Sequence, residues 1–250
     1  MTRSKTICVY EGEALSRYGF GGDHPFGQGR LDAFMDELHR RHLDWQVRFC
    51  PPMAASDKEL GLFHTRAYLD RVRDCSASGQ GMLDYGDTPA WPGVYEAACH
   101  VVGSTLDAVR KVMGNQARRA FVPIAGLHHG FPDTAAGFCV FNDCGVAIKV
   151  LEEEYGLERI AYVDIDAHHG DGVFYPFEDD PRLIFADIHE DGRYNFPQSG
   201  FAHETGKGAA QGRKLNLPLL PLSRDADFLR AWEQVEAFLE QWRPQFILMQ

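Results

Sequence analysis

An acidic, histidine-containing segment follows an apolar stretch near the middle of the chain. It reads YVDIDAHHGDG over residues 162–172, with three aspartates and two histidines. In an extended strand, side chains two residues apart share a face, so Asp164, Asp166 and His168 are predicted to project together from the strand's carboxyl end. Two carboxylates and an imidazole form a ligand set suited to zinc or another divalent ion.

These residues could instead have a structural role, because Asp and His after a strand often cap the next helix or bind loop backbone. An isolated Asp-x-His sequence would favour that role. The third carboxylate, at Asp171, and the flanking Gly170 and Gly172, which permit a sharp turn, favour a metal site instead.

A second polar cluster lies in PIAGLHHGFPDTAAGFCVFND, residues 123–143. His128 and His129 are adjacent, so they cannot point the same way in extended chain, and taken alone such loop histidines are more often structural than catalytic. Together with a distant aspartate cluster they become candidates for a general base and an electrostatic stabiliser, because an imidazole in such a role needs an orienting carboxylate. Asp164 and Asp171 could supply the two carboxylates.

The elements that must position these residues alternate between short β-rich runs and longer amphipathic stretches, which is the rhythm of a parallel α/β sheet. Strands are predicted at 6–12, 118–124, 159–166, 182–188, 213–219 and 246–250, and helices at 28–42, 57–75, 92–114, 141–156 and 226–242. Both polar clusters follow predicted strands, and α/β proteins place their sites in loops at the carboxyl ends of strands.

Composition narrows the class of protein. A chain of 250 residues favours one domain, predicted here over residues 1–250, and the net charge of -11 argues against direct nucleic-acid binding. The six cysteines include no C-x-x-C pair, which indicates a reducing compartment and no zinc ribbon. No signal peptide is recognisable near Met1 and no apolar run approaches the roughly 18 residues of a membrane span. We therefore expect a soluble, cytoplasmic protein without a membrane partner.

Several motifs occur in the order found in one enzyme family. GLHHG, GFCVFND, YVDIDAHHGDG, RLIFADIHE and NFPQSG resemble segments of the zinc-dependent histone deacetylases, including their bacterial relatives. The similarity covers nearly the whole chain, from HPFGQGRLDAF at 24–34 to the final RPQFILMQ. It implies an arginase-like α/β fold with three α/β/α layers around a central, mostly parallel sheet. It also implies hydrolysis of an acylated lysine peptide or acylated amine by a zinc-bound water.

The resemblance assigns roles to the residues of both clusters. Asp166 and His168 match two of the three zinc ligands. His129 with Asp171 matches the general-base dyad, in which the imidazole takes a proton from the water and later protonates the leaving amine. The implied neighbouring dyad, which stabilises charge, consists of His128 and Asp164.

The resemblance also implies a substrate tunnel and binding of potassium. Gly137, Phe138 and Phe196 match the tunnel walls, although Phe138 alone would more often be a core residue, and Asp87 matches a rim carboxylate that holds the substrate backbone. One potassium site is implied at Asp164, Asp166, His168, Asp187 and Ile188, and part of another at Phe177, Asp180 and Leu183. Both Asp187 and Asp180 stand where relatives commonly carry a hydroxyl residue.

The sequence departs from the family pattern at its end. It stops at Gln250, before the place where relatives carry the third zinc carboxylate and a glycine-flanked tyrosine, so we expect a truncated or degenerate member that is inactive as written. Two other functions fit part of the sequence: a ureohydrolase with two manganese ions, since Asp-Ala-His is shared with that fold, and a binding module that has lost catalysis. The histidine pair and GFCVFND favour the deacetylase.

Overall fold

The computed structural model describes residues 7–250, which divide into two compact units, the first ending at Ala147 and the second beginning at Ile148. Each unit is built on parallel strands with helices, which confirms the predicted α/β class. Thr6, the first residue of the strand predicted at 6–12, lies outside the described residues. The single domain predicted over the whole chain stays a prediction.

The first unit contains a three-stranded parallel sheet with β1 (Ile7–Tyr10) between β2 (Val47–Cys50) and β3 (Arg119–Phe121). Strand β2 was not predicted, because its four residues VRFC carry an exposed arginine and are too short to show a period of two. Its helices are α1 (Glu13–Ser16), α2 (Arg30–Arg40), α3 (Asp57–Leu60), α4 (Arg66–Ser78) and α5 (Val94–Met113), and helix α6 (Asp143–Glu153) begins in this unit and ends in the second.

The helix predicted over 57–75 is two helices, α3 and α4. Ser56 opens α3 with a capping box, in which its side chain accepts from the Glu59 amide and the Glu59 carboxylate accepts from the Ser56 amide. Thr65 caps α4 by accepting from the Tyr68 amide. Apolar spacing continues across the break, so the period alone does not reveal the second cap.

Helix α5 is the most deeply buried helix of the first unit, with buried residues on most of its circumference. Gly103 allows the backbone of residues 53–55 to lie directly against it, because an added Cβ atom would lie 2.3 Å from the Met53 carbonyl oxygen. The Ala55 amide donates to the Cys99 carbonyl at 2.9 Å in the same contact. A side chain at Gly103 would therefore push this segment away.

The second unit contains four parallel strands in the order β6-β5-β4-β7. Their bounds are β4 (Ile160–Asp164), β5 (Leu183–Glu190), β6 (Lys214–Leu219) and β7 (Phe246–Met249), with helices α7 (Asp171–Phe174) and α8 (Asp225–Trp242). Ala231 and Val235 of α8 pack on Val163, Ala186 and Ile188, so α8 covers one face of the central strands. None of the helices in the described part of the chain is long and apolar enough to cross a membrane.

Candidate functional site

His128 and His129 of the second polar cluster lie in the loop between β3 and α6. Both are buried, and their ring centroids are 4.0 Å apart with a 47° angle between the ring planes. Adjacent residues in extended chain would point apart, so the loop backbone bends to bring His128 and His129 side by side. The structure thus places both predicted imidazoles together within the first unit.

Asp143, at the start of α6, anchors the loop that leads to these histidines. Its carboxylate accepts the Gly126 amide at 3.0 Å, the Leu127 amide at 2.8 Å and the Thr105 hydroxyl at 2.8 Å. Burial raises the pKa of Asp143, and the hydrogen bonds oppose that shift. The side chain therefore satisfies three buried donors and fixes the backbone immediately before His128.

Asn142 anchors the other end of the loop. Its amide nitrogen Nδ2 donates to the Gly130 carbonyl at 2.8 Å, and its Oδ1 accepts the Gly145 amide at 2.8 Å. Its backbone amide donates to Nε2 of His64, a buried histidine, at 3.0 Å. Sequence reasoning did not identify Asn142, Asp143 or His64. The available signal was the Asn-Asp pair directly before an apolar helix, a typical N-terminal capping sequence.

Phe138 occupies a tight turn in which both Gly137 and Phe138 have positive φ, at 50° and 71°. A non-glycine residue in this region is uncommon and needs support. The Phe138 amide donates to the Thr88 hydroxyl at 3.1 Å, and its carbonyl accepts from the Tyr18 hydroxyl at 2.7 Å. The His24 ring packs edge-on against the Phe138 ring, with centroids 4.5 Å apart. Phe138 is half-buried, as a wall residue would be and a core residue would not.

Asp87 is exposed and lies in the loop beside this turn, since the Thr88 hydroxyl is within 3.1 Å of the Asp87 carboxylate. The neighbouring Asp84 accepts the amides of Gly86, Asp87 and Thr88. Burial opposes ionisation of Asp84, but hydrogen bonds from the side chains of Asp87 and Thr88 and from the Gly86 and Thr88 amides lower its pKa to about 2. Burial, the hydrogen bond with Asp84 and the charge of Asp84 raise the pKa of Asp87 to about 6. Within the first unit, the structure therefore joins the predicted rim carboxylate to the predicted wall.

In the second unit, strand β4 ends at Asp164, so the prediction of a strand through residue 166 was wrong. Asp164 is fully buried, accepts the Tyr162 hydroxyl at 2.6 Å, and also accepts the Asp166 amide at 3.0 Å. Asp166 and His168 lie in the following loop, with side chains 36% and 41% exposed. The carboxylate of Asp164 therefore stays inside the unit. Its hydrogen bond with the Asp166 amide turns the residues that follow Asp164 out of the strand.

Asp166 and His168 form a close pair. Asp166 Oδ1 accepts the His168 amide at 2.8 Å and lies 2.9 Å from His168 Nδ1. The donor set, one carboxylate and one imidazole with accessible edges, fits two positions of a zinc coordination shell. No group of three or more His, Cys, Asp or Glu side chains that could hold a metal ion occurs in residues 7–250. The assignment of Asp166 and His168 as zinc ligands stays a prediction.

The ring of Phe196 lies near this pair, with its centroid 6.1 Å from that of His168, and the side chain is 43% exposed. An exposed aromatic ring beside a candidate metal ligand suits a tunnel wall. The Asp171 carboxylate, at the start of α7, is buried and accepts the Gly172 amide at 3.0 Å. The implied pairings of His129 with Asp171 and His128 with Asp164 stay predictions.

Asp187 lies opposite Asp164 on the neighbouring strand β5, in register, and is fully buried. Its carboxylate accepts the Gly170 amide at 2.8 Å and lies 2.7 Å from Nδ1 of His189, whose Nε2 lies 2.8 Å from the Gly200 carbonyl. Burial and the nearby Asp164 raise the pKa of Asp187 to about 7. Ile188 is buried between Asp187 and His189. Asp187, a member of the first predicted potassium group, thus pairs with the His189 imidazole. Sequence reasoning missed this carboxylate–imidazole pair.

The second predicted potassium group lies around the turn between α7 and β5. Phe177 is buried, and the Asp180 carboxylate binds Arg182 through contacts of 3.0 Å and 2.7 Å. The backbone carbonyls of Asp180 and Leu183 both accept hydrogen bonds from Nζ of Lys214, a residue that carried no prediction. These two carbonyls are thus already bonded to an ammonium group, and the predicted potassium group stays a prediction.

The matching family agrees with the motifs and with the fold. The histone deacetylase domain family matches residues 24–250, and the chain belongs to this family. Its α/β fold with parallel strands is the fold of solved histone deacetylase homologues. The recognition of the family from its motifs is thereby confirmed.

Individual relatives are bacterial. The chain is 39% identical over 249 residues to the acetoin utilization protein AcuC of Bacillus subtilis, covering 94% of this chain but 63% of that protein's length. A crystal structure of a histone deacetylase homologue from Aquifex aeolicus superimposes with a TM-score of 0.87 at 27% identity, covering 98% of this chain and 68% of the homologue. A homologue solved in complex with SAHA gives a TM-score of 0.85 at 27% identity, covering 98% and 67%.

Proposed function

We propose that the protein is a zinc-dependent amide hydrolase that removes acetyl or other acyl groups from lysine side chains or related amines. The observation that carries this proposal is the half-exposed Asp166–His168 pair, placed directly after the central strand β4 in a chain of the histone deacetylase family. Loops at the carboxyl ends of parallel strands are the usual location of active sites in such folds.

Zinc would be held by the Asp166 carboxylate and the His168 imidazole. A further ligand would also be needed, and residues 7–250 place no third His, Cys, Asp or Glu side chain in a group with these two. When bound, zinc makes its water more acidic and polarises an amide carbonyl. Asp166 Oδ1 and His168 Nδ1 lie 2.9 Å apart, so the carboxylate and the imidazole are close enough that both would contact one ion.

The buried imidazoles of His128 and His129 supply the proton chemistry in this proposal. An imidazole can accept a proton from an attacking water and return it to the leaving amine, which typically accelerates a reaction by about 10²- to 10⁴-fold. We assign that transfer to His129 and charge stabilisation to His128. The anchoring of their loop by Asp143 supports this role, because proton transfer requires a fixed donor–acceptor distance.

The aromatic residues suit the stem of the substrate. Phe138 and Phe196 present half-buried or exposed rings, and the methylene chain of an acylated lysine or polyamine packs well on such surfaces. Asp87, exposed beside Phe138, can accept a hydrogen bond from a peptide amide of the substrate. The net charge of -11 also favours a cationic peptide or polyamine.

The test is hydrolysis of an acetyl-lysine peptide and an acetylated polyamine by the natural full-length protein, after metal removal and reloading with zinc or manganese. We expect zinc to restore amide hydrolysis at one metal ion per chain. Restoration only by two manganese ions, with urea-forming hydrolysis of a guanidino substrate, would identify a ureohydrolase. Metal binding with no turnover of any acylated amine would favour a binding module.

A further inference from the structure

Lys214, the first residue of β6, is a buried lysine held by backbone oxygens. It is 2% exposed, and its Nζ donates to the Asp180 carbonyl at 3.0 Å and to the Leu183 carbonyl at 2.5 Å. Lysines are almost never fully buried unless their charge is compensated. Two converging carbonyl oxygens are a strong partner for an ammonium group, for the same reason that rings of carbonyls bind monovalent metal ions.

The position of the ammonium group excludes an ion from the same carbonyls. Asp180 and Leu183 belong, with Phe177, to the group that resembles a second potassium site of the family. A monovalent ion bound there would have to share both oxygens with Nζ of Lys214. The ion and the ammonium group would then be two cations close together in a buried environment of low dielectric constant, and they would repel each other strongly.

The surrounding side chains add to this exclusion. Arg182 binds both the Asp180 carboxylate, at 2.7 Å, and the buried Glu152 carboxylate, at 2.9 Å. Lys149 Nζ lies 3.0 Å from Glu152 and 4.7 Å from the centroid of the Phe177 ring. With Lys214, the cluster holds three cationic and two anionic side chains, so its carboxylates are already compensated and a further cation would be unfavourable.

We propose that Lys214 is a built-in cation, which takes the place of a monovalent metal ion at the turn from Phe177 to Leu183. The turn then needs no potassium, and removing the side chain opens a site that potassium can fill. The inference concerns the folded structure of the second unit and stands whether or not the proposed hydrolase activity is correct.

Burial lowers the pKa of Lys214 to about 7, against the opposing charge of Asp180, so the test is made at pH 6 where the side chain is protonated. The full-length protein is compared with Lys214→Ala, which leaves space, with Lys214→Met, which fills it without charge, and with Lys214→Arg, which keeps a cation. Thermal unfolding is measured in potassium chloride and in tetramethylammonium chloride at equal ionic strength.

We expect Lys214→Ala to lower the Tm by roughly 3 to 10 °C in tetramethylammonium and to recover a substantial part of that loss in potassium. Lys214→Met should lose stability without recovery, and Lys214→Arg and the unmodified protein should differ little between the salts beyond a shared offset. The shared offset measures any ion bound at the first predicted potassium group, which includes Asp164 and Asp187. It cancels when each variant is compared with the unmodified protein.

Two results would overturn the inference. One is a potassium-dependent Tm shift of the same size in the unmodified protein and in Lys214→Ala, since the site would then be open with Lys214 present. The other is a Lys214→Ala protein that gains nothing from potassium, or that fails to fold in both salts, because an ion could then not substitute for the ammonium. A protein that folds only in potassium would support it.

Discussion

The histidine loop of the first unit and the acidic segment of the second are held in different ways. The loop around His128 and His129 is fixed by side chains distant in sequence, chiefly Asp143 and Asn142 at the start of α6. In the segment from Asp164 to His168, the Asp164 and Asp166 carboxylates accept amides two positions further on. Its backbone also bonds to distant residues, through the Ile165 amide to the Gln250 carbonyl and the Ala167 carbonyl to the Glu190 amide. The acidic side chains are therefore oriented mainly by local bonds, whereas the histidine loop is oriented by side chains distant in sequence.

The largest expected effect is loss of the candidate metal ligands. Asp166→Ala and His168→Ala in the full-length protein should each remove zinc and reduce kcat/KM by more than about 10³-fold, because two of the usual three protein ligands come from this segment. Zinc is measured by elemental analysis and the fold by circular dichroism. The exposed Asp179→Ala and His203→Ala serve as matched controls. Full zinc content in both ligand variants would remove the assignment.

The next effect separates the proton carrier from the metal. His129→Ala should reduce kcat by about 10²- to 10⁴-fold with zinc content unchanged, since the lost group moves a proton and holds no metal in our assignment. His128→Ala should reduce kcat less, because it stabilises charge without transferring the proton. A His129→Ala protein with near-normal kcat, or a His128→Ala protein with the larger loss, would reverse the roles.

Removal of the loop anchor should weaken the first unit and leave the acidic segment intact. Asp143→Ala leaves three buried donors without an acceptor, at a cost of about 2 to 4 kcal/mol in the free energy of unfolding. Urea denaturation measures the loss. Asp143→Asn retains one acceptor oxygen and is expected to lose less. Equal stability of the alanine variant and the unmodified protein would show that the loop holds itself.

His64 makes the first unit sensitive to acid. Burial lowers its pKa from 6.5 to about 4, with the nearby carbonyls of Phe131 and Pro132 opposing the shift. The unfolded chain therefore binds a proton more readily than the folded one, so stability is lost as pH falls from about 6.5 to 4, reaching about 3 kcal/mol. Above pH 6.5 this contribution to the pH dependence is absent.

The measurement for His64 is the free energy of unfolding at pH 7, 5.5 and 4.5. His64→Gln retains an acceptor for the Asn142 amide and should show a flatter dependence over this range. The dependence should be steepest around pH 5, where this histidine is largely protonated in the unfolded chain and largely neutral in the folded one, and should be nearly flat around pH 7. An unchanged slope in the glutamine variant would assign the acid sensitivity to other groups.

The contrast between the two regions also explains what the sequence could predict. The close pairing of Asp166 with His168 could be predicted because their spacing is local, and strands were predicted wherever apolar runs were long enough. The carboxyl end of β4 was placed two residues too late, since the Asp164 carboxylate turns the chain by bonding the Asp166 amide. Spacing alone carries no information on such a bond.

The residues that were missed act over long distances in sequence. Lys214 bonds carbonyls more than thirty residues earlier, at Asp180 and Leu183, and His64 bonds Asn142 from a separate helix–loop segment. A lysine at the start of a strand and a histidine between two helices have no local signature of burial. Their roles follow from tertiary packing.

The turn at Phe138 has a consequence for the thermodynamics of ligand capture. Because the backbone is clamped by Tyr18 and Thr88 and the ring is braced by His24, the aromatic surface is preorganised before any guest molecule arrives. Immobilising a side chain on association commonly costs about 0.5 to 1.5 kcal/mol, and here that entropy is already lost on folding. In the proposed hydrolase, the conformational cost of binding would then fall mainly on the acyl carrier and little on this wall.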